Sequence, residues 1–233
     1  MLSIIIPTLN EEKYLPKLLR SIKNQSFKDY EIIVADSNSK DKTREIVKKF
    51  NCKLTKGGNH PGISRNKGAK MAKGDLLLFM DADCIMHKDF LKNALNEIKT
   101  KNLSIAGCKV MPLSKRIDDK IAFSIYNLWI LSTQFFYANA SGHGIFCKKN
   151  LHNKTKGFDE SIKLSEDMDY CKRARKHGKF RILKSVIIYT STRRFDNYGR
   201  FNTHLKLLFS AFYRPIFGEI KSNIFNYKFD YKK

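Results

Sequence analysis

The sequence predicts an α/β fold, a mainly parallel sheet flanked by helices, and three observations carry that prediction. Short apolar, β-branched runs such as LSIIIP (2–7) and YEIIVA (30–35) lack polar alternation, as strands covered on both faces should. Between such runs lie segments with apolar residues at helical spacing. The two kinds alternate over residues 2–99, the order expected of right-handed βαβ units.

In order, the strand over 2–7 leads to a helix starting at Asn10 (NEEKYLPKLLRSI). Its first turn is acidic, and Leu15, Leu18, Leu19 and Ile22 share one face. The strand over 30–35 is followed by the polar turn Asp36-Ser37-Asn38-Ser39, a helix over 42–50 and a short strand over 53–56. Residues 62–73 (GISRNKGAKMAK) read as a helix, 76–80 as a strand and 90–99 as a helix. Further on, 165–177 is a helix that Gly178 can end, and 180–189 contains a strand. The mostly apolar stretch 121–138 is expected to be a buried helix, with a membrane contact as the other possibility. From Arg193 onward 11 of the 28 aromatic residues stand among Lys and Arg, so 193–233 reads as a helical, basic-aromatic C-terminal extension.

Composition narrows the function classes. In 233 residues, 45 Lys+Arg face 22 Asp+Glu, a formal net charge of +23. A hydrophobic share of 42% and an aromatic share of 12% exclude a disordered basic tail. No uninterrupted apolar run approaches the ~20 residues of a membrane-spanning helix. The first residues lack the charged and apolar regions of a secretory signal. Five widely spaced cysteines with no CxxC pair suit free thiols in a reducing compartment, which points to the cytoplasm. The charge calls for an anionic partner: nucleic acid, phosphate-bearing small molecules or an acidic membrane face.

In parallel sheets ligands sit beyond the C-terminal strand ends. There stand Pro7-Thr8-Leu9-Asn10-Glu11, then Asp36, then Asp81-Ala82-Asp83. Two positions apart in extended chain, Asp81 and Asp83 point to the same side. They are either oxygen ligands for Mg²⁺ or Mn²⁺ or an acidic turn capping a buried strand. Taken singly, Asp36 and Asn10 are also plain capping residues.

Together, SIIIPTLNEE (3–12), YEIIVADSNSKDKT (30–43), ISRNKGAKMAKGDLLLFMDAD (63–83) and SED (165–167) resemble family 2 glycosyltransferases, over about residues 2–190. The resemblance implies a GT-A fold over 1–192, with a nucleotide-binding half (1–100) and an acceptor half (101–192). It also implies inverting transfer of a sugar from a nucleotide-activated donor. By that likeness Pro7, Thr8, Asn10 and Glu11 line the nucleotide, and Asp36 bonds its base, commonly uracil, which favours a UDP-sugar. Ser37 and Asn38 stand where the family usually has a second acid and a glycine. Arg65 and Asn66 approach the nucleotide and its phosphates. Asp83 and Asp81 hold a divalent metal, Mn²⁺ or Mg²⁺, with the diphosphate. Asp167 of the Glu166-Asp167 pair is implied as the general base that deprotonates the acceptor. Glu166 and His143, in the loop Gly142-His143-Gly144, fall on the acceptor side.

Some family members carry a metal-ligating His after the strand that ends here at Tyr189-Thr190. This chain has Arg193 and Arg194 instead, which either neutralise the diphosphate or form a solvated surface pair. Residues 200–217 have the composition of an interfacial segment, so peripheral contact with an anionic, cytoplasmic membrane face and a glycan or lipid-linked acceptor are expected. An aromatic helix packed back on the domain is the bland alternative. A polyprenyl phosphate as nucleophile is the runner-up chemistry. A basic nucleic-acid- or nucleotide-binding protein without transferase activity is the reading from another class; no nucleic-acid motif supports it, and no nucleic-acid partner is expected.

Overall fold

The computed structural model describes residues 1–222 and 224. In chain order the elements are β1 (Leu2–Thr8), α1 (Leu15–Lys23), β2 (Tyr30–Asp36), α2 (Thr43–Lys49), β3 (Lys53–Lys56), α3 (Pro61–Met71), β4 (Leu76–Phe79) and β5 (Cys84–Met86). There follow α4 (Phe90–Thr100), β6 (Ile105–Pro112), α5 (Ile117–Thr133), β7 (Ile145–Lys148), α6 (Lys149–Lys154), α7 (Glu166–Arg175), β8 (Phe180–Thr190), α8 (Arg193–Tyr198) and α9 (Arg200–Phe217).

All the strands join one sheet in the order β3-β2-β1-β4-β7-β6-β8-β5. β1 lies parallel to β2 and β4, β2 to β3, and β6 to β8. β7 runs antiparallel between β4 and β6, and β5 antiparallel to β8. The expected mixed, mainly parallel sheet is therefore present. Along β1, Ile4 and Ile6 join Leu15, Leu18 and Leu19 of α1 on one face. Ile5 joins Phe79, Phe158 and Tyr170 on the other. Two covered faces explain why the strand is apolar throughout. At Gly68 a Cβ would lie 2.4 Å from Ile5 Cγ2, so α3 packs close to β1 and carries Arg65 over the sheet edge.

Three differences from the sequence expectations have physical causes. The first helix starts at Leu15, not Asn10: Asn10 has φ 54, outside the helical region, and Pro16 opens the helix. β5 and β7 are only three and four residues long, and β6 contains Gly107 and Lys109, so none gave a continuous apolar run. The stretch 121–138 is not a buried helix. Within α5, Asp119, Asn127 and Ile130 are buried, while Ile121, Ile125 and Leu128 face outward. Asn127 sets that orientation: its amide accepts from Val110 N at 2.9 Å and donates to Val110 O at 2.8 Å.

The described part of 193–233 packs on the domain. Arg200 Nε pairs with Asp119 Oδ1 at 2.9 Å, Leu164 bridges to Ile220, and buried Arg214 pairs with Glu219 at 2.7 Å. Residues 223 and 225–233 of the expected extension lie outside the described residues. All five cysteines are free, four of them buried.

Candidate active site

The parallel ends of β1, β2 and β4 bring the sequence-predicted clusters to one sheet edge. Asp36, the last residue of β2, is buried and fully engaged. Its Oδ1 accepts from Thr8 Oγ1 at 3.1 Å and Ser39 Oγ at 2.5 Å; its Oδ2 accepts from Ser39 N at 3.0 Å and Arg44 Nε at 2.7 Å. Asn10 completes this corner, with its N–H donating to Ser39 Oγ and its Oδ1 accepting from Lys40 N, both at 2.9 Å. Pro7 sits half-buried beside Ala35 in the strand register.

Asp81 and Asp83 occupy the turn between β4 and β5, and each meets an arginine. Arg65 is 3% exposed. Its Nη2 donates to Asp81 Oδ1 at 2.7 Å and its Nη1 to Glu166 Oε1 at 2.6 Å. Desolvation alone would raise the Asp81 carboxyl, but Arg65, His143 and Arg194 outweigh it and hold it below the usual carboxylate range. Arg193, at the start of α8, lies with Nε 3.2 Å from Asp83 Oδ2 and grips Glu11 through both terminal nitrogens. Its guanidinium also covers the Tyr14 ring at 4.3 Å. Burial pushes the Glu11 carboxyl up to about 7 against the pull of Arg193. Arg193 and Glu11 thus enter one cluster with Asp83, and the charge of Arg194 reaches Asp81.

Across the cluster stands the first turn of α7. Ser165, just before it, has φ 64 and makes no side-chain cap hydrogen bond. Such a left-handed residue other than glycine costs about 1–2 kcal/mol. The acids that follow are turned to the site: Glu166 meets Arg65, and Asp167 Oδ2 accepts from Gly142 N at 2.7 Å. Burial first, then the charge of Glu166, raises the Asp167 carboxyl to about 6, against Arg65 and two backbone N–H groups. A Cβ on Gly142 would lie 2.3 Å from Arg65 Nη2 and 3.4 Å from Asp167 Oδ2, so only glycine fits between carboxylate and guanidinium without a shift. His143 lies with Nε2 4.0 Å from Asp81 Oδ2, and its Nδ1 meets Ser141 Oγ.

Asn66 differs from the nucleotide-lining expectation in its contacts. Its amide donates to Phe158 O and accepts from Phe158 N, both at 2.9 Å, and reaches Glu160 Oε1 at 3.0 Å. Other participants carried no legible signal: Arg44 on Asp36, Tyr14 under Arg193, and Arg214, whose Nη1 is 2.9 Å from Met168 Sδ.

Among the described residues, no group of three or more His, Cys, Asp or Glu forms a metal cage. The donor set still fits a hard divalent ion. Asp81 and Asp83 retain carboxylate lone pairs beyond their arginine contacts, and such ions commonly take one or two carboxylates plus substrate phosphates.

The family model described as glycosyl transferase family 2 matches residues 3–147. Poly(ribitol-phosphate) beta-N-acetylglucosaminyltransferase TarS of Staphylococcus aureus is 29% identical over 205 residues, 82% of this chain and 35% of that protein. The dolichyl N-acetyl-alpha-D-glucosaminyl phosphate 3-beta-D-2,3-diacetamido-2,3-dideoxy-beta-D-glucuronosyltransferase of Methanococcus voltae is 29% identical over 192 residues, 72% of this chain and 60% of its own length. The chain therefore spans about a third of one of these relatives and less than two thirds of the other. The crystal structure of TarS in complex with UDP superposes with a TM-score of 0.66 at 25% identity, covering 89% of this chain and 64% of that one. Mannosyltransferase PcManGT from Pyrobaculum calidifontis, in complex with GDP-Man and Mn²⁺, gives 0.70 at 21% identity over 91% and 64%, a likeness of fold.

Proposed function

Because the chain belongs to glycosyl transferase family 2, we propose that it moves a sugar from a nucleoside-diphosphate donor, with inversion, to a hydroxyl of a glycan or lipid-linked acceptor. One observation carries this reading. Arg65 joins Asp81, on the donor side, to Glu166, neighbour of the base Asp167, so the two halves of a displacement reaction share one buried cation.

Asp167 takes the acceptor's proton as the hydroxyl oxygen forms its bond to the anomeric carbon. The bond from that carbon to the diphosphate oxygen breaks on the opposite face. The carboxyl raised to about 6 is still ionised near neutral pH and is a stronger base than an ordinary carboxylate. Gly142 N–H and Met168 N–H each hold one of its oxygens and fix its direction. Arg193 and Arg194 bring positive charge to the edge where the diphosphate sits, beside the segment Pro7, Thr8, Asn10 and Glu11. Asp36, tied to Arg44, braces the corner proposed for the base. His143 lines the acceptor side. A divalent cation, Mn²⁺ or Mg²⁺, held by Asp83 and Asp81, would supply charge against the leaving diphosphate.

A UDP-sugar donor is favoured, in keeping with the TarS relative. The C-terminal segment is proposed to touch an anionic membrane on its cytoplasmic side. A hydroxyl nucleophile is preferred to a polyprenyl phosphate, because an ionised phosphate needs no raised-pKa base. Thermal-shift titration with UDP, GDP and UDP-sugars, with and without Mn²⁺, tests donor binding. Stabilisation by a nucleotide that depends on Asp83 supports the reading; no response to any nucleoside diphosphate overturns it.

A further inference from the structure

We propose that α5 and α9 together form a docking surface for an anionic phospholipid bilayer, which delivers a lipid-linked acceptor towards Asp167; the inference rests on the lipid-linked reading above. Residues 121–137 (IAFSIYNLWILSTQFFY) contain no charged side chain. Yet Ile125, Leu128 and Phe136 are 63%, 70% and 72% exposed. A helix that meets only water turns apolar residues inward; α5 leaves Ile121, Ile125 and Leu128 outward while burying Asp119 and Asn127. On α9, Phe201 is 80% exposed, and Phe209, Ile216 and Phe217 also face out. The Arg200–Asp119 ion pair ties the two helices together at their N-terminal ends.

The same helices flank the base. The Tyr126 hydroxyl on α5 is buried, has no hydrogen-bond partner among the described residues, and feels the charge of Asp167. On α9, buried Arg214 touches Met168 Sδ, next to Asp167. The apolar outer faces thus lie on helices whose inner side chains reach the neighbourhood of half-buried Asp167.

Charge selects the occupant. Exposed Lys115 and Lys120 stand at one end of the α5 stripe. At the other, Arg175 holds the carbonyls of Phe135 and Phe136, and Arg181 lies 4.6 Å over the Phe135 ring. A second copy would bring the same cations, and a chain of net charge +23 repels its like. Anionic headgroups over an apolar interior match both parts of the surface. Among the described residues no helix is long and apolar enough to cross a membrane, so the contact is interfacial.

The test is flotation of the full chain with phosphatidylcholine vesicles, with and without phosphatidylglycerol, beside the double variant Ile125→Glu, Leu128→Glu. Both side chains are exposed, so the variant is expected to fold, with wild-type circular dichroism and UDP affinity. The wild type should float with anionic vesicles, and the variant should partition at least about tenfold less. Fluorescence of Trp129, the chain's single tryptophan, should shift to the blue on vesicle addition. No flotation of the wild type, equal flotation of the variant, or a dimer in light scattering that the variant dissolves would overturn the proposal. Flotation requires neither donor nor acceptor, so its failure leaves the transferase reading standing, and loss of nucleotide binding leaves the flotation result standing.

Discussion

Glu11 and Arg193, 182 positions apart in the chain, meet in a buried two-pronged ion pair, Nη1 to Oε2 at 2.7 Å and Nη2 to Oε1 at 2.5 Å. The pair closes the sheet edge where the chain returns from β8, and the same guanidinium lies 3.2 Å from Asp83. It joins the loop after β1 to the start of α8.

Removing one partner of such a pair leaves a buried charge without compensation. Arg193→Ala should therefore cost about 3–5 kcal/mol of stability, read from denaturant unfolding, and weaken nucleotide binding as well. Glu11 adds a pH signature. Its carboxyl lies at about 7 in the folded chain against an ordinary 4.5, so the folded state holds the proton more tightly. The stability it contributes is complete below about pH 4.5 and is lost as pH rises through about 7. Glu11→Gln should flatten the stability curve over that window; an unchanged slope would contradict the assignment.

Asn66 latches α3 to the loop that carries Phe158 and Glu160. Asn66→Ala leaves both backbone groups of Phe158 unpaired, at a cost of about 1–3 kcal/mol. At roughly 2–4 °C per kcal/mol for a chain of this size, the melting temperature should drop measurably while UDP affinity holds. Weaker UDP binding with no loss of stability would return Asn66 to the nucleotide-lining role expected from the sequence.

The base role proposed for Asp167 requires its ionised form, so kcat/KM should fall as pH drops through about 6. Gly142→Ala drives a methyl against Arg65 and disturbs the N–H bond that lowers the Asp167 carboxyl. Turnover should fall about 10- to 100-fold, with the ascending limb of the pH profile moved to higher pH. A variant that loses stability but keeps the limb in place would show a merely structural glycine.

The first sheet half was legible because β1, β2 and β4 are covered on both faces and so read as unbroken apolar runs. β5, β6 and β7 were not, being short or interrupted by Gly107 and Lys109. The orientation of α5 also escaped prediction, since its apolar residues are not confined to one helical stripe and one amide, that of Asn127, chooses the inner face. At the site, the carboxylates stood out because they follow strand ends or open a helix. Of their partners, Arg65, Arg193 and the loop of Gly142 stood in or beside the recognisable motifs, whereas Arg44 and Arg214 reach the site only through packing that leaves no local pattern in the sequence.

The most direct test is turnover: release of nucleoside diphosphate from UDP-sugars with Mn²⁺ and a lipid-linked acceptor, in wild type, Asp83→Ala and Asp167→Asn. The roles assigned here predict release by the wild type, loss in Asp83→Ala through donor binding, and a drop of about 10²–10⁴ in kcat for Asp167→Asn with UDP affinity intact. Wild-type release by Asp167→Asn would contradict them.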